Sequence, residues 1–163
     1  MLSLKLFLLM IALTGLAGAE NRQTQTEQRY ENLNSPVELL ASYYNAINRR
    51  EYERAWQYWE TPPGTFAEFR RGYADTVSVQ LIVQPPTVIH GAAGSLYVEV
   101  PTVLVARERD GSEHLYAGCY VARRSNLRAP DQIGQAWRIY KAHLKPAVRT
   151  ATISQLLAQA CGH

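Results

Sequence analysis

The chain of 163 residues is poor in the residue types that specialised chemistry draws on. It holds four histidines, His90, His114, His143 and His163. They show no ligand spacing and have no carboxylate pair one helical turn away, so the sequence offers no metal centre and implies no cofactor. The two cysteines do not form a C-x-x-C, which argues against a thioredoxin-like redox site. There is no G-x-S-x-G, no phosphate loop and no cysteine–histidine signature. A formal net charge of +3 lacks the basic excess that a nucleic-acid partner demands. The one long apolar run, Leu6 to Leu16, falls short of the roughly 20 residues that span a bilayer as a helix.

That run has another reading. Lys5 precedes it, and Ala17-Gly18-Ala19 follows with small residues at the positions a signal peptidase reads. Residues 1–19 are therefore expected to be a secretory signal peptide cleaved after Ala19, which places the mature protein in the periplasm or outside the cell. No integral membrane segment is expected after processing. In an oxidising compartment Cys119 and Cys161 are expected to pair, closing a loop of about 40 residues worth about 4 kcal/mol in the chain-entropy model. The remaining composition, 47% hydrophobic and 19% charged, is that of an ordinary globular domain.

Residues 20–34 are polar and read as a flexible lead-in, with a single domain over 35–163. Ser35-Pro36-Val37-Glu38 has the form of a capping box with proline at the first helical position. Val37, Leu40, Ala41, Tyr44 and Ile47 follow as one helical stripe, which Asn48-Arg49-Arg50 ends. Tyr52, Ala55, Trp56 and Trp59 repeat the spacing, and Pro62-Pro63-Gly64 stops that second helix. Thr65 with Glu68 opens a third, carrying Phe66, Phe69 and Tyr73.

Beyond Asp75 the period changes from 3.6 to 2. Val77, Val79 and Leu81 alternate in a short strand that stops at Pro85-Pro86. Residues 95–107 form a long strand with Leu96, Val98, Val100, Thr102, Leu104 and Ala106 on one face. Pro101 there predicts a bulge or an edge. Arg109-Asp110-Gly111-Ser112 predicts a hairpin into a return strand over 113–124, bent at Gly118. A polar loop, 125–134, leads to a last strand over 135–144. A helix over 152–161 then brings Cys161 to face the body of the protein. The fold class is α+β: three N-terminal helices on an antiparallel sheet of about four strands, plus a short C-terminal helix.

The hairpin Tyr43-Tyr44-Asn45-Ala46-Ile47-Asn48-Arg49-Arg50-Glu51-Tyr52-Glu53-Arg54-Ala55-Trp56, with the closing Trp137-Arg138-Ile139, resembles the NTF2-like superfamily, the cone fold shared with ketosteroid isomerase and SnoaL-type cyclases. The resemblance spans roughly residues 36–146. It implies a curved sheet wrapping the helices, a pocket at the open end of the cone and homodimers through the outer sheet face. No catalytic residue of the family maps onto this chain by motif.

Two readings stand for the inward aromatics Tyr44, Trp56, Trp59, Phe69 and Tyr73: a plain core, or the lining of a ligand pocket with tyrosine hydroxyls as its polar groups. Asp75, at the end of the third helix, is the best-placed acid–base candidate, ahead of His90, Glu99 and His114. The doublets Arg49-Arg50, Arg70-Arg71 and Arg123-Arg124 read as solvated faces with local ion pairs, or as sites for an anionic partner. The leading expectation is an exported, non-catalytic domain that binds a small apolar ligand or a protein partner, as a homodimer. The alternatives are an isomerase or dehydratase using Asp75 with a tyrosine, and a soluble component of an envelope or secretion complex.

Overall fold

The computed structural model describes residues 27–127 and 136–162. The expected signal peptide, residues 20–26 of the lead-in, most of the 125–134 loop and His163 lie outside the described residues. Three helices come first: α1 (Pro36–Asn48), α2 (Tyr52–Gln57) and α3 (Phe66–Gly72). Five strands follow: β1 (Thr76–Val83), β2 (His90–Ala92), β3 (Ser95–Glu108), β4 (Glu113–Ser125) and β5 (Arg138–Pro146). Helix α4 (Ile153–Gln159) ends the chain. The sheet is antiparallel in the order β1-β3-β4-β5, with β2 paired to β3 beyond the end of β1. The α+β class and the three-plus-one helices stand as expected. The short strand β2 is an addition, since the sequence predicts no strand around His90.

The helix starts follow their caps. The Ser35 side chain accepts from the Glu38 backbone N–H, so one half of the expected box forms. At Thr65 both halves form, with Glu68 reaching back to the cap. Helix α1 is buried well beyond its predicted stripe. Leu39, Tyr43 and Ala46 are as inaccessible as Leu40 and Tyr44, whereas Val37 and Ala41 are only half-buried. The reason is that α1 is sandwiched. The sheet covers one side and α2 another, and residues 27–34 run along it in coil.

Those residues were read as part of a flexible lead-in from their composition alone. They are tied to α1 and α2 through side chains that satisfy their backbone. Asn45 Oδ1 accepts from the Tyr30 N–H, and Asn45 Nδ2 donates to the Gln28 carbonyl. Ser42 exchanges bonds with both backbone groups of Asn32. Arg54, 9% exposed, donates to the Tyr30 carbonyl, Asn45 Oδ1, the Tyr58 hydroxyl and Glu51. A buried guanidinium is tolerable only when its donors are spent this way.

The irregularities of the sheet do not fall at Gly118, which pairs in regular register with Thr102 and Leu144. Register shifts occur between Thr76 and Ser78 in β1 and between Val121 and Ala122 in β4. At Gly118 a Cβ would come within 1.9 Å of the His143 carbonyl oxygen, so only glycine admits the close approach of β5. Pro101 pairs in register with Cys119 on one side. On the other it lies just past the end of β1, and its carbonyl accepts from the Gln84 N–H. The missing donor therefore falls at a local edge and no bulge is needed.

The outer sheet face differs most from expectation. Cys119 and Cys161 form a disulfide that holds α4 across β3 and β4. On the face of β3 opposite Leu104, Val103 is fully buried and Val105 half-buried. No helix among the described residues is long and apolar enough to cross a membrane.

Candidate functional site

Between α3 and the inner sheet face lies a cavity of about 500 Å³, inside the range of about 300–1,000 Å³ usual for small-molecule sites. Its most buried lining comes from Tyr44 of α1, Phe69 of α3, Val79 of β1, and Leu104 and Ala106 of β3. Tyr73, Thr76, Glu108, Tyr116 and Leu144 are half-buried lining, and Pro63, Glu68 and Gly72 stand at the exposed rim. Alternation along β3 carries this arrangement, because Leu104, Ala106 and Glu108 project from one face. The wall thus changes from aliphatic to carboxylate towards the β3–β4 hairpin.

Tyrosine hydroxyls supply the inner polar groups. Tyr44 and Tyr120 share a 2.6 Å hydrogen bond, and Tyr43 and Tyr73 one of 2.9 Å. Burial pushes the hydroxyls of Tyr43, Tyr44, Tyr73 and Tyr120 above the ordinary tyrosine range, with neighbouring tyrosines adding to the rise for Tyr43, Tyr44 and Tyr120. These groups stay neutral and serve as hydrogen-bond donors and acceptors. Nearer the rim, Thr76 Oγ1 donates to Glu108 Oε1 at 3.3 Å.

The sequence-derived residues divide. Tyr44, Phe69 and Tyr73 do line the cavity. Trp56 and Trp59 do not; they stand behind it, Trp56 edge-on to Phe66 and Phe69, and Trp59 against Tyr43 and Tyr120. The chain leaves α2 before Trp59, which bridges instead to Ile139 of β5. Trp59 Nε1 is the buried side-chain polar atom that lacks a partner among the described residues.

Asp75 lies outside this cavity, exposed on the neighbouring groove beside the β3–β4 hairpin. After α3 the chain turns outward to enter β1, and the Asp75 carbonyl accepts from the Arg109 N–H of the neighbouring hairpin. The carboxylate that does line the cavity is Glu108, which sequence reasoning missed. The signal was available, since Glu108 is the next inward position after Leu104 and Ala106. His90 and His114 are exposed, and Glu99 belongs to the other face of β3, near the disulfide. Glu99 and the two cysteine sulfurs are the one grouping of candidate metal donors among the described residues, and sulfurs joined in a disulfide are not thiolates.

No family model matches the chain, and no curated protein matches it. Solved structures do. A scytalone dehydratase-like protein from Novosphingobium aromaticivorans superposes with a TM-score of 0.50 at 8% identity, over 69% of this chain and 81% of that one. A dehydratase-like protein of the NTF2-like family from Streptomyces avermitilis gives 0.46 at 15% identity, over 68% and 92%. A ring-hydroxylating dioxygenase-type β subunit from Novosphingobium aromaticivorans gives 0.46 at 15%, over 74% and 92%. At such identities the likeness is one of architecture, not of chemistry. Helices seated on an open antiparallel sheet, with the superposition on the scytalone dehydratase-like structure, make the fold of this protein NTF2-like.

Proposed function

We propose that the protein is an exported, non-catalytic binding domain whose cavity takes a small, largely apolar molecule. The observation that carries this reading is the cavity itself: aliphatic and aromatic walls with a few oriented polar groups, Tyr44 and Tyr73 within and Thr76 with Glu108 towards the rim. The leader-like first 19 residues and the disulfide support export.

Native mass spectrometry of the processed protein from an exporting host tests this directly. A retained small molecule is expected, and it should be lost from Ala106→Phe, which fills the cavity from the β3 wall beside Leu104. Retention by the filled variant, or failure of both proteins to take up an apolar fluorescent probe, would count against the cavity.

One observation favours a catalytic version of the same site: a carboxylate, Glu108, stands in the lining beside a hydroxyl. Acid–base chemistry of the dehydratase or isomerase kind would then run on Glu108, not on Asp75. Glu108→Gln separates the readings, since it would abolish turnover while leaving apolar binding nearly intact.

A further inference from the structure

The arginine doublets do not share one fate. Arg49 is paired with Glu51, Arg123 with Glu60, and Arg124 lies over the Trp137 ring at 4.9 Å. Arg50, Arg70 and Arg71 remain, all exposed. They converge with Arg109 of the β3–β4 hairpin around a groove of about 610 Å³. Among the described residues none of these four guanidinium groups takes part in an ion pair or a side-chain hydrogen bond. The rings of Tyr52 and Phe66 complete the groove, and no carboxylate lines it. It shares no residue with the aromatic cavity: α3 turns Phe69 and Tyr73 to the cavity, and Phe66, Arg70 and Arg71 to the groove.

Local structure explains part of this charge. Arg70 and Arg71 occupy the last turn of α3, where cations complement the helix dipole. That account does not reach Arg109 or Arg50. Arg50 has φ of 61°, a left-handed backbone in which glycine or asparagine would be unstrained. The chain thus carries a charged side chain where its backbone disfavours one. Nearby carboxylates are spent or lie in adjoining grooves. Glu51 is held by Arg49 and Arg54, and Glu31 by Arg29. Glu53 lines an adjoining groove with Arg50 and Arg70, and Asp75, Glu108 and Asp110 line another with Arg71 and Arg109, but among the described residues none of them forms an ion pair with these four arginines. Four like charges on short, fixed elements repel one another until an anion neutralises them, and guanidinium groups bind phosphate and carboxylate oxygens in pairs.

We infer that this groove is a second binding site, for a small polyanion bearing two or more phosphate or carboxylate groups. The same oxygens can come from a free anion or from the headgroup of an anionic lipid. The full processed chain is titrated calorimetrically with inorganic pyrophosphate and with citrate, at low and at high salt. In parallel it is floated with phosphatidylglycerol vesicles and with phosphatidylcholine vesicles.

The variants are Arg50→Asn, which suits the left-handed backbone, Arg109→Ala, and Arg107→Ala as a control on an exposed arginine paired with Glu113. Binding of pyrophosphate or citrate that falls at least about tenfold in Arg50→Asn and Arg109→Ala, but not in Arg107→Ala, supports a soluble anion. Flotation with phosphatidylglycerol alone, lost in the same two variants, supports a headgroup. Absence of binding to every probe overturns the inference, and so does binding that the two groove variants leave unchanged. Circular dichroism of Arg50→Asn should match the parent and so exclude loss of fold as the cause.

Discussion

Tyr44 and Tyr120 satisfy each other's hydroxyl in a region closed to solvent. Removing one partner strands the other, so Tyr120→Phe should destabilise the protein by about 1–3 kcal/mol. The double change Tyr44→Phe with Tyr120→Phe leaves no orphan and should recover most of that loss, as read from urea unfolding midpoints. Ionisation supplies a second check. Burial raises the pKa of these hydroxyls above the ordinary tyrosine value of about 10. Below that pH both folded and unfolded chains are protonated and stability is untouched; above it only the unfolded chain ionises readily, so stability falls as pH rises. Absorbance at the phenolate band should rise for Tyr43, Tyr44, Tyr73 and Tyr120 together with loss of far-ultraviolet dichroism, and titration of all ten tyrosines in an intact fold would contradict their burial. At this scale the sequence is a partial guide. Periodicity found Tyr44, Phe69 and Tyr73, because a helical stripe depends on spacing alone. It does not fix where Asp75 lies relative to the cavity, because where a chain turns after a helix depends on the hairpin that Asp75 meets.

Helix α4 has no fully buried residue, yet it covers Val103 and is fastened by a disulfide closing a loop of 42 residues. A helix of this length with so little burial is marginal by itself. The cross-link is therefore expected to supply its stability, up to about 4 kcal/mol from the restricted unfolded chain. Replacing both cysteines by serine should lower the thermal midpoint and bring the α4 amides to near-unprotected hydrogen exchange, while β3 and β4 stay protected. Protection of α4 in that variant would show that its side chains suffice. Caps make a smaller, independent contribution: Thr65→Ala removes the side-chain half of the α3 box, leaving the backbone N–H of residue 65 bonded to Glu68, and should cost about 1 kcal/mol. Elements were the most legible level of this chain. Capping residues and the change of period carry local signals that tertiary contacts did not override, whereas α2 ends at Gln57, ahead of the Pro62-Pro63-Gly64 stop, because Trp59 is drawn to Ile139 of β5. The short strand β2 escaped notice because three exposed residues, His90–Ala92, carry no alternation to read.

Over the whole molecule, stability and assembly both turn on which surfaces are already occupied. Residues 27–34 close over α1 through the Arg54 group, and Glu51 is its acidic member. Desolvation pushes the Glu51 carboxyl up, but hydrogen bonds from Arg49 and Arg54 outweigh it and hold the carboxyl below the ordinary carboxylate range. Glu31 is lowered too, chiefly by its hydrogen bond from Arg29. Groups depressed in this way lend stability that is complete above the unfolded carboxylate range and disappears as pH falls through the folded values. Unfolding midpoints should therefore be flat from neutrality to about pH 5 and drop below about pH 4. Assembly follows from the opposite face. The homodimer implied by the family resemblance would use the outer sheet, but α4 lies across it and buries Val103. What stays accessible there is a strip around Tyr97 and Tyr140, whose rings pack edge-on 5.4 Å apart. Such a strip is small beside the roughly 800 Å² per partner of a stable interface. The oxidised protein from an exporting host should give a monomer in a native mass spectrum, beginning at Glu20 and lighter by two hydrogens than the reduced chain. Replacing both cysteines by serine frees α4 and Val103 together, so a dimer should appear in that variant. A dimer of the oxidised chain would place the interface elsewhere, and a variant that stays monomeric would show that α4 holds the face without its cross-link.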